Sequence, residues 1–290
     1  MKLFYNTIIM FNIYSRRQLC WLDTQTICEK LENPDQSIKI KYCEDVHKNI
    51  ILNREGRSTE SSRNTSPDVP PFRRSVGECV SFKKKHNKSN IYIHDMDTID
   101  CALTFNNPLV LNLADNYFPG GYVGEGAGAQ EESLFRRTNY FQTLLKTFYP
   151  IEKDEAIYSS NVSIVKQSEK NNWDLYEGKS KKLDFIACPG IKYPGTILKD
   201  NTEQLNNVDV ERLKIKIKTI IQCALKYKHD VIIFGALGCG AWRNPPHHVA
   251  KIFKEILQEY DGVISTYVFA ILTTGTANTV DIFRETFGYY

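Results

Sequence analysis

Residues 231 to 246 read VIIFGALGCGAWRNPP. A run of β-branched and aromatic side chains, Val231 to Phe234, leads into Gly235, Ala236, Leu237, Gly238, Cys239, Gly240 and Ala241, and a helical pattern takes over after Asn244. The pair Pro245 and Pro246 suits a first helical turn, because proline lacks the N–H that such a turn leaves unpaired. Val249, Ile252, Phe253, Ile256 and Leu257 then fall on one face. Strand, glycine loop and helix in this order make half of a parallel α/β unit, and that unit sets the fold class as α/β. In a parallel sheet such a loop lies at the carboxyl edge of its strand, where ligands bind. Its glycines expose amide N–H groups that suit phosphate oxygens, with a helix N-terminus behind them. The same letters also describe a tight strand-to-helix turn that binds nothing.

The alternation continues on both sides. Strands are expected at NIYIHD (90–95), PLVLNLAD (108–115), IYSSNVSIVKQ (157–167), LDFIACPG (183–190) and STYVFAILTT (265–274). Val210, Leu213, Ile217, Ile220, Ile221, Ala224 and Leu225 recur at helical spacing; LKIKIK alone would pass for a strand, and the length of the pattern decides for helix. NTVDIFRETFG (278–288) reads as a last helix closed by Gly288. Nearer the start, DTQTICEKLE (23–32) reads as a helix capped by Asp23, with Ile27, Cys28 and Leu31 on one face. NREGRSTESSRNTSPDVPPFRRS (53–75) has almost no apolar residues and reads as an exposed linker. The division expected is therefore 1–75, a helical extension and polar linker, and 76–290, a single α/β domain.

Composition narrows the chemistry. A net charge of +3 over 290 residues is too weak to argue for gripping a nucleic-acid backbone, and leaves an anionic small molecule open. Eight cysteines without a C-x-x-C pair fit a reduced, intracellular protein. The opening MKLFYNTIIMFNIYSRR resembles a poor signal sequence interrupted by Asn6, Thr7 and Asn12, and no apolar run reaches the ~18 residues of a membrane span. The expectation is cytoplasmic, with nuclear access left open and no membrane partner. Gly235, Gly238 and Gly240 space as G-x-x-G-x-G, which is not a dinucleotide fingerprint, and EGKS (177–180) lacks the first glycine of a P-loop. The histidines show no ligand spacing, so no metal is expected. Cys239 sits where a helix start could activate a thiol, but without a partner histidine it reads as a small packed side chain.

The second informative stretch is PGGYVGEGAGAQEE, residues 119 to 132. A bare glycine loop delivers its ligand into Gln130, Glu131 and Glu132. An isolated pair of glutamates would ordinarily be solvated residues opening a helix. Together with the 235–241 loop, the pair points instead to acid–base chemistry on a glycosidic or phosphate-bearing substrate. Breaking a glycosidic acetal needs a proton on the leaving oxygen while positive charge develops at the anomeric carbon. Ordinary glycosidases flank the bond with two separated carboxyls. Adjacent residues project in different directions, so one glutamate is inferred to serve as acid and the other to orient the sugar.

LNLADNYFPGGYVGEGAGAQEESLFRRTN, followed by GALGCGAWRNPP and the closing order through FAILTTG and FRETFG, resembles microbial-type poly(ADP-ribose) glycohydrolases. The likeness is poorest over 1–15 and 53–75. It implies a macrodomain-like fold that acts without a cofactor on poly(ADP-ribose) or ADP-ribosylated macromolecules, releases ADP-ribose and reads no nucleic-acid sequence. By the resemblance Glu132 is the catalytic acid, Glu131 grips the terminal ribose hydroxyls, Gln130 positions them, and Gly120 and Gly121 lie against substrate. Gly235, Ala236, Gly238, Cys239, Gly240 and Ala241 form the diphosphate loop. Asn112 is placed to bond the terminal ribose, or else caps a turn. Asp95 or Asp97 meets an adenine amino group or shapes a turn, and Trp242 walls the diphosphate or joins the core. One position departs from the family: Tyr122 stands where a third consecutive glycine is usual. Two rivals remain at this level, a non-hydrolysing ADP-ribose reader and a hydrolase of another ADP-ribosyl linkage.

Overall fold

The computed structural model describes residues 2–31, 37–42, 84–177, 181–275 and 278–289, with side chains in the first stretch from residue 13 onward. The apolar runs become strands β1 (Ile38–Lys41), β2 (Asn90–His94), β3 (Pro108–Asn112), β4 (Glu155–Ser163), β5 (Lys182–Ala187), β6 (Thr196–Lys199), β7 (Thr202–Leu205), β8 (Val231–Phe234) and β9 (Thr266–Ala270). Seven of them form one sheet in the order β1-β4-β5-β3-β8-β9-β2, while β6 and β7 make a separate hairpin. From β5 to β2 every neighbouring pair is parallel, and β4 runs antiparallel to both β5 and β1.

Helices α1 (Lys2–Cys28), α2 (Thr98–Ala102), α3 (Gln130–Arg137), α4 (Asn207–Lys226), α5 (Pro246–Glu259) and α6 (Thr279–Phe287) surround it. β3 and β9 are buried along their whole length, as strands covered on both faces must be. Successive side chains point to opposite faces. Leu109, Leu111, Ile232 and Phe234 accordingly pack with Leu213, Ile217, Phe253 and Ile256 of α4 and α5, whereas Val110 and Ile233 pack with Ile99, Leu134, Phe135 and Tyr140 on the other side.

The helices form where their end signals lie. The Asn206 side chain caps α4 by accepting from Asp209 N at 3.0 Å, Pro246 opens α5, and Gly288 closes α6 with φ +84°. LKIKIK is helical, as its longer pattern demands. The expected helix at 23–32 is corrected. Asp23 lies inside α1 rather than capping it, its carboxylate is 2.7 Å from Lys166 Nζ, and the helix ends at Cys28, so Leu31 shares no helical face with Ile27 and Cys28. Within residues 1–75, β1 pairs with β4 along the edge of the sheet. Linker 53–75 and the Gly178–Ser180 part of EGKS lie outside the described residues. No helix among the described residues is long and apolar enough to cross a membrane.

Register positions the site. Pro108 pairs with Val231 and Val110 with Ile233 in parallel, so the chain leaves β3 and β8 side by side at one edge. Asn112 pairs with Ala187 on the other side of β3, bringing the loop after β5 to the same edge.

Candidate active site

The chain after β3 first turns on Asp115, whose Oδ1 accepts Tyr117 N at 2.7 Å and Phe118 N at 3.1 Å, a local bond typical of aspartate. It then passes through Gly120 and Gly121, both left-handed at φ +78° and +53°, a conformation open to glycine at little cost. α3 follows, and its first turn carries Gln130, Glu131 and Glu132 back against the end of β3. Gln130 is the clasp: its Nε2 donates to Leu111 O at 2.7 Å and its Oε1 accepts Leu113 N at 2.9 Å.

Both glutamates are buried, 3% and 6% exposed, so they are not solvated residues that merely open a helix. Glu131 is held on both oxygens. Oε1 accepts Asn112 Nδ2 at 3.2 Å and Gly120 N at 3.1 Å, and Oε2 accepts Asp115 N at 2.7 Å. Burial pushes its carboxyl up to about 8, against the pull of these donors, and the neighbouring Glu132 charge adds to the rise. Glu132 is held on one side only: Oε1 accepts Tyr122 N at 3.1 Å, while Oε2 is buried with no hydrogen-bond partner. A Cβ on Gly121 would lie 2.5 Å from Glu132 Oε1, so this glycine is required by the carboxylate packed over it. The Tyr122 ring is half exposed, and this residue serves Glu132 through its backbone N–H.

Beside it, the 235–241 loop turns at Gly238, φ +77°, with Asn244 fixing the turn by donating from Nδ2 to Ile191 O at 2.6 Å and Gly238 O at 3.0 Å. Cys239 N is engaged with Ala236 O at 3.0 Å, whereas the amides of Gly238, Gly240 and Ala241 have no acceptor among the described residues. A Cβ on Gly240 would meet nothing within 4 Å, so nothing crowds the chain at this position. Burial pushes the Cys239 thiol far up, and Cys239 lines the loop as an unreactive side chain.

The structure thus gathers Asn112, Gly120, Gly121, Gln130, Glu131 and Glu132 around the end of β3, with Gly235 to Ala241 alongside. Asp97 caps α2 and pairs with the buried Arg137, and Asp95 accepts from Thr273 N and Oγ1, so both carboxylates are engaged within the protein. Trp242 is partly buried, with the Lys192 ammonium 6.0 Å from its ring centroid. Sequence reasoning missed Asp115, although an aspartate just after an apolar strand and just before a glycine loop is a legible turn signal. It also missed Gly190, where a Cβ would lie 2.8 Å from Gly238 Cα. Among the described residues no group of three or more His, Cys, Asp or Glu could hold a metal ion.

Residues 38–167, which include the glycine loop and both glutamates, match the family described as microbial-type PARG, catalytic domain, where PARG denotes poly(ADP-ribose) glycohydrolase. The resemblance drawn from the motifs is borne out by this match. No curated protein matches the sequence. Among solved structures the chain is similar to the poly(ADP-ribose) glycohydrolase from Thermomonospora curvata at 19% identity and TM-score 0.68, with 93% of this chain and 98% of that chain covered. It is similar to the glycohydrolase from Deinococcus radiodurans in complex with ADP-ribose at 20% identity and TM-score 0.65, with 87% and 94% covered. The Thermomonospora curvata protein bound to the inhibitor ADP-HPD gives 19% identity and TM-score 0.64, with 93% and 98% covered. The mixed sheet between two layers of helices is the fold of these proteins.

Proposed function

We propose that this chain, which carries the microbial-type PARG catalytic domain over residues 38–167, is a poly(ADP-ribose) glycohydrolase that cuts ribose–ribose bonds and releases ADP-ribose. The observation that carries the assignment of roles is the asymmetry between the two buried glutamates. Both Glu131 oxygens already accept N–H donors, whereas Glu132 Oε2 has none. Glu132 Oε2, the carboxylate oxygen without a donor inside the protein, is therefore the one left to carry a proton to the substrate. Glu132 gives this proton to the leaving oxygen as charge develops at the anomeric carbon, then takes one from the attacking water. Glu131, kept in orientation by Asn112 and two amides, accepts the ribose hydroxyls. The open amides of Gly238, Gly240 and Ala241 take diphosphate oxygens in a loop that carries no negative side chain.

No step calls for a metal or cofactor. Its partners are poly(ADP-ribose) or ADP-ribosylated macromolecules, met inside the cell, most simply in the cytoplasm. Residues 76–290 are taken as the catalytic unit, with 1–75 as an extension that adds α1 and the edge strand β1 to it.

The test is incubation of the purified protein with poly(ADP-ribose) and chromatography for free ADP-ribose. Glu132→Gln, which keeps the bond from Tyr122 N, should bind ADP-ribose within a few-fold of wild type and lose about 10²-fold or more in turnover. Glu131→Gln should lose more in binding than in the chemical step; the reverse ranking exchanges the two roles. A wild type that binds ADP-ribose without turnover is a reader.

A further inference from the structure

The loop after β5 meets the other two at the site. Gly190 packs against Gly238, and Tyr193, itself left-handed at φ +49°, donates its N–H to Trp242 O at 3.3 Å. Tied down in this way, the loop extends Lys192 to a point 4.0 Å from Asp115 Oδ2 and 6.0 Å from the Trp242 ring centroid. Asp115 is the residue whose N–H holds Glu131, and Trp242 follows directly on the amide loop. A cation thus stands between the residues that present the carboxylates and those that present the open amides.

Nothing the fold requires uses up this cation. Its side chain is 40% exposed, and 4.0 Å to Asp115 is the outer limit of an ion pair. Asp115 is already satisfied by two backbone amides through its other oxygen. An ammonium has three donors, so most of its capacity remains for a further acceptor. Asp115 is its only ion-pair contact among the described residues, so an anion brought by the substrate, a phosphate, is the acceptor matched to its free charge.

We infer that Lys192 is a specificity-determining residue that contacts a substrate phosphate, adding a side-chain charge to recognition otherwise made by backbone amides. This rests on the glycohydrolase reading. The phosphate belongs either to the ADP-ribose unit seated in the site or to the neighbouring unit of the polymer.

Lys192→Met keeps the aliphatic stem, and Lys192→Arg keeps the charge. ADP-ribose affinity is measured by calorimetry at low and high salt, and KM and kcat are measured on poly(ADP-ribose). Lys192→Met should weaken affinity or raise KM about fivefold and flatten the salt dependence, while Lys192→Arg recovers most of the loss. A loss seen with ADP-ribose as well as polymer assigns the contact to the seated unit; a loss confined to polymer KM assigns it to the neighbour. Unchanged Kd and KM in a folded Lys192→Met protein overturn the inference, as does an arginine variant as impaired as the methionine one. A fall in kcat alone also overturns it, because Lys192 would then be a brace for Asp115. A wild type that does not bind ADP-ribose defeats the glycohydrolase reading itself.

Discussion

Gly121→Ala separates the catalytic reading of the glycine loop from a structural one. Gly121 has φ +53°, where a side chain costs about 1–2 kcal/mol. For a protein of this size that lowers Tm by about 2 to 8 °C. The added Cβ would also lie 2.5 Å from Glu132 Oε1, where 3.4 Å begins ordinary contact, so the carboxylate must retreat by the difference of about 0.9 Å. Misplacing a catalytic group by about 1 Å costs on the order of 10²-fold in rate. The expected result is a modest loss of Tm by scanning calorimetry with a loss of about 10²-fold in polymer turnover. Gly240→Ala is the control, since its Cβ meets nothing within 4 Å; its Tm should match wild type. A Gly121→Ala protein that loses stability yet turns over polymer at the wild-type rate would refute the placement of Glu132 at the reacting bond.

The remaining expectations concern protons and the one departure from the family pattern. Burial raises the Glu131 carboxyl from its ordinary 4.5 to about 8, so the folded state binds an extra proton between these values. Its stabilising contribution is complete below about pH 4.5 and is lost as pH rises toward about 8; Glu131→Gln should therefore show a flatter Tm-against-pH curve than wild type across this window. The Tyr122 ring is half exposed, and Tyr122 holds Glu132 through its backbone N–H, which a glycine keeps, so Tyr122→Gly should stay within about threefold of wild-type turnover. A gain of tenfold would show that the ring obstructs the sugar.

What was legible in the sequence was whatever a local pattern determines. β2, β3, β5, β8 and β9 were expected because continuous apolar runs of strand length stood between turn residues, and α4 to α6 because their apolar spacing and end signals agreed. Expected strands overran their ends, as PLVLNLAD did beyond Asn112, because Leu113 and Ala114 remain apolar while the chain has already turned toward Asp115. β1, with sequence IKIK, escaped notice as a four-residue edge strand with alternating lysines, a composition that also shields edges from pairing. Asp23 looked like a helix cap because its partner, Lys166, lies far along the chain. Within the site, the glycine spacing and the glutamates were readable. The resemblance implied a role for each glutamate, but the donors that hold Glu131 on both oxygens and Glu132 on one were not readable, because they depend on which amides the fold brings to which oxygen. Lys192 carried no local signal at all; only the convergence of three strand ends gives it neighbours.

α1 bears on the order in which this molecule matures. Gln18 Nε2 donates to Gly124 O, Thr24 Oγ1 to Arg136 O, and Lys166 Nζ to Cys20 O, across separations of 106, 112 and 146 residues. Contacts of such range form late, because chain entropy must be spent to close the intervening loop before they return any stabilisation. A growing polypeptide carries α1 without these partners until the glycine loop and α3 have been made. The sheet, built on pairings among β3, β5, β8 and β9, can reach its register while the loop that aims Glu132 is still unbraced. On the glycohydrolase reading, turnover would then mark the last stage of folding, and a preparation with native secondary structure but α1 undocked would have little of it, as measured by polymer hydrolysis.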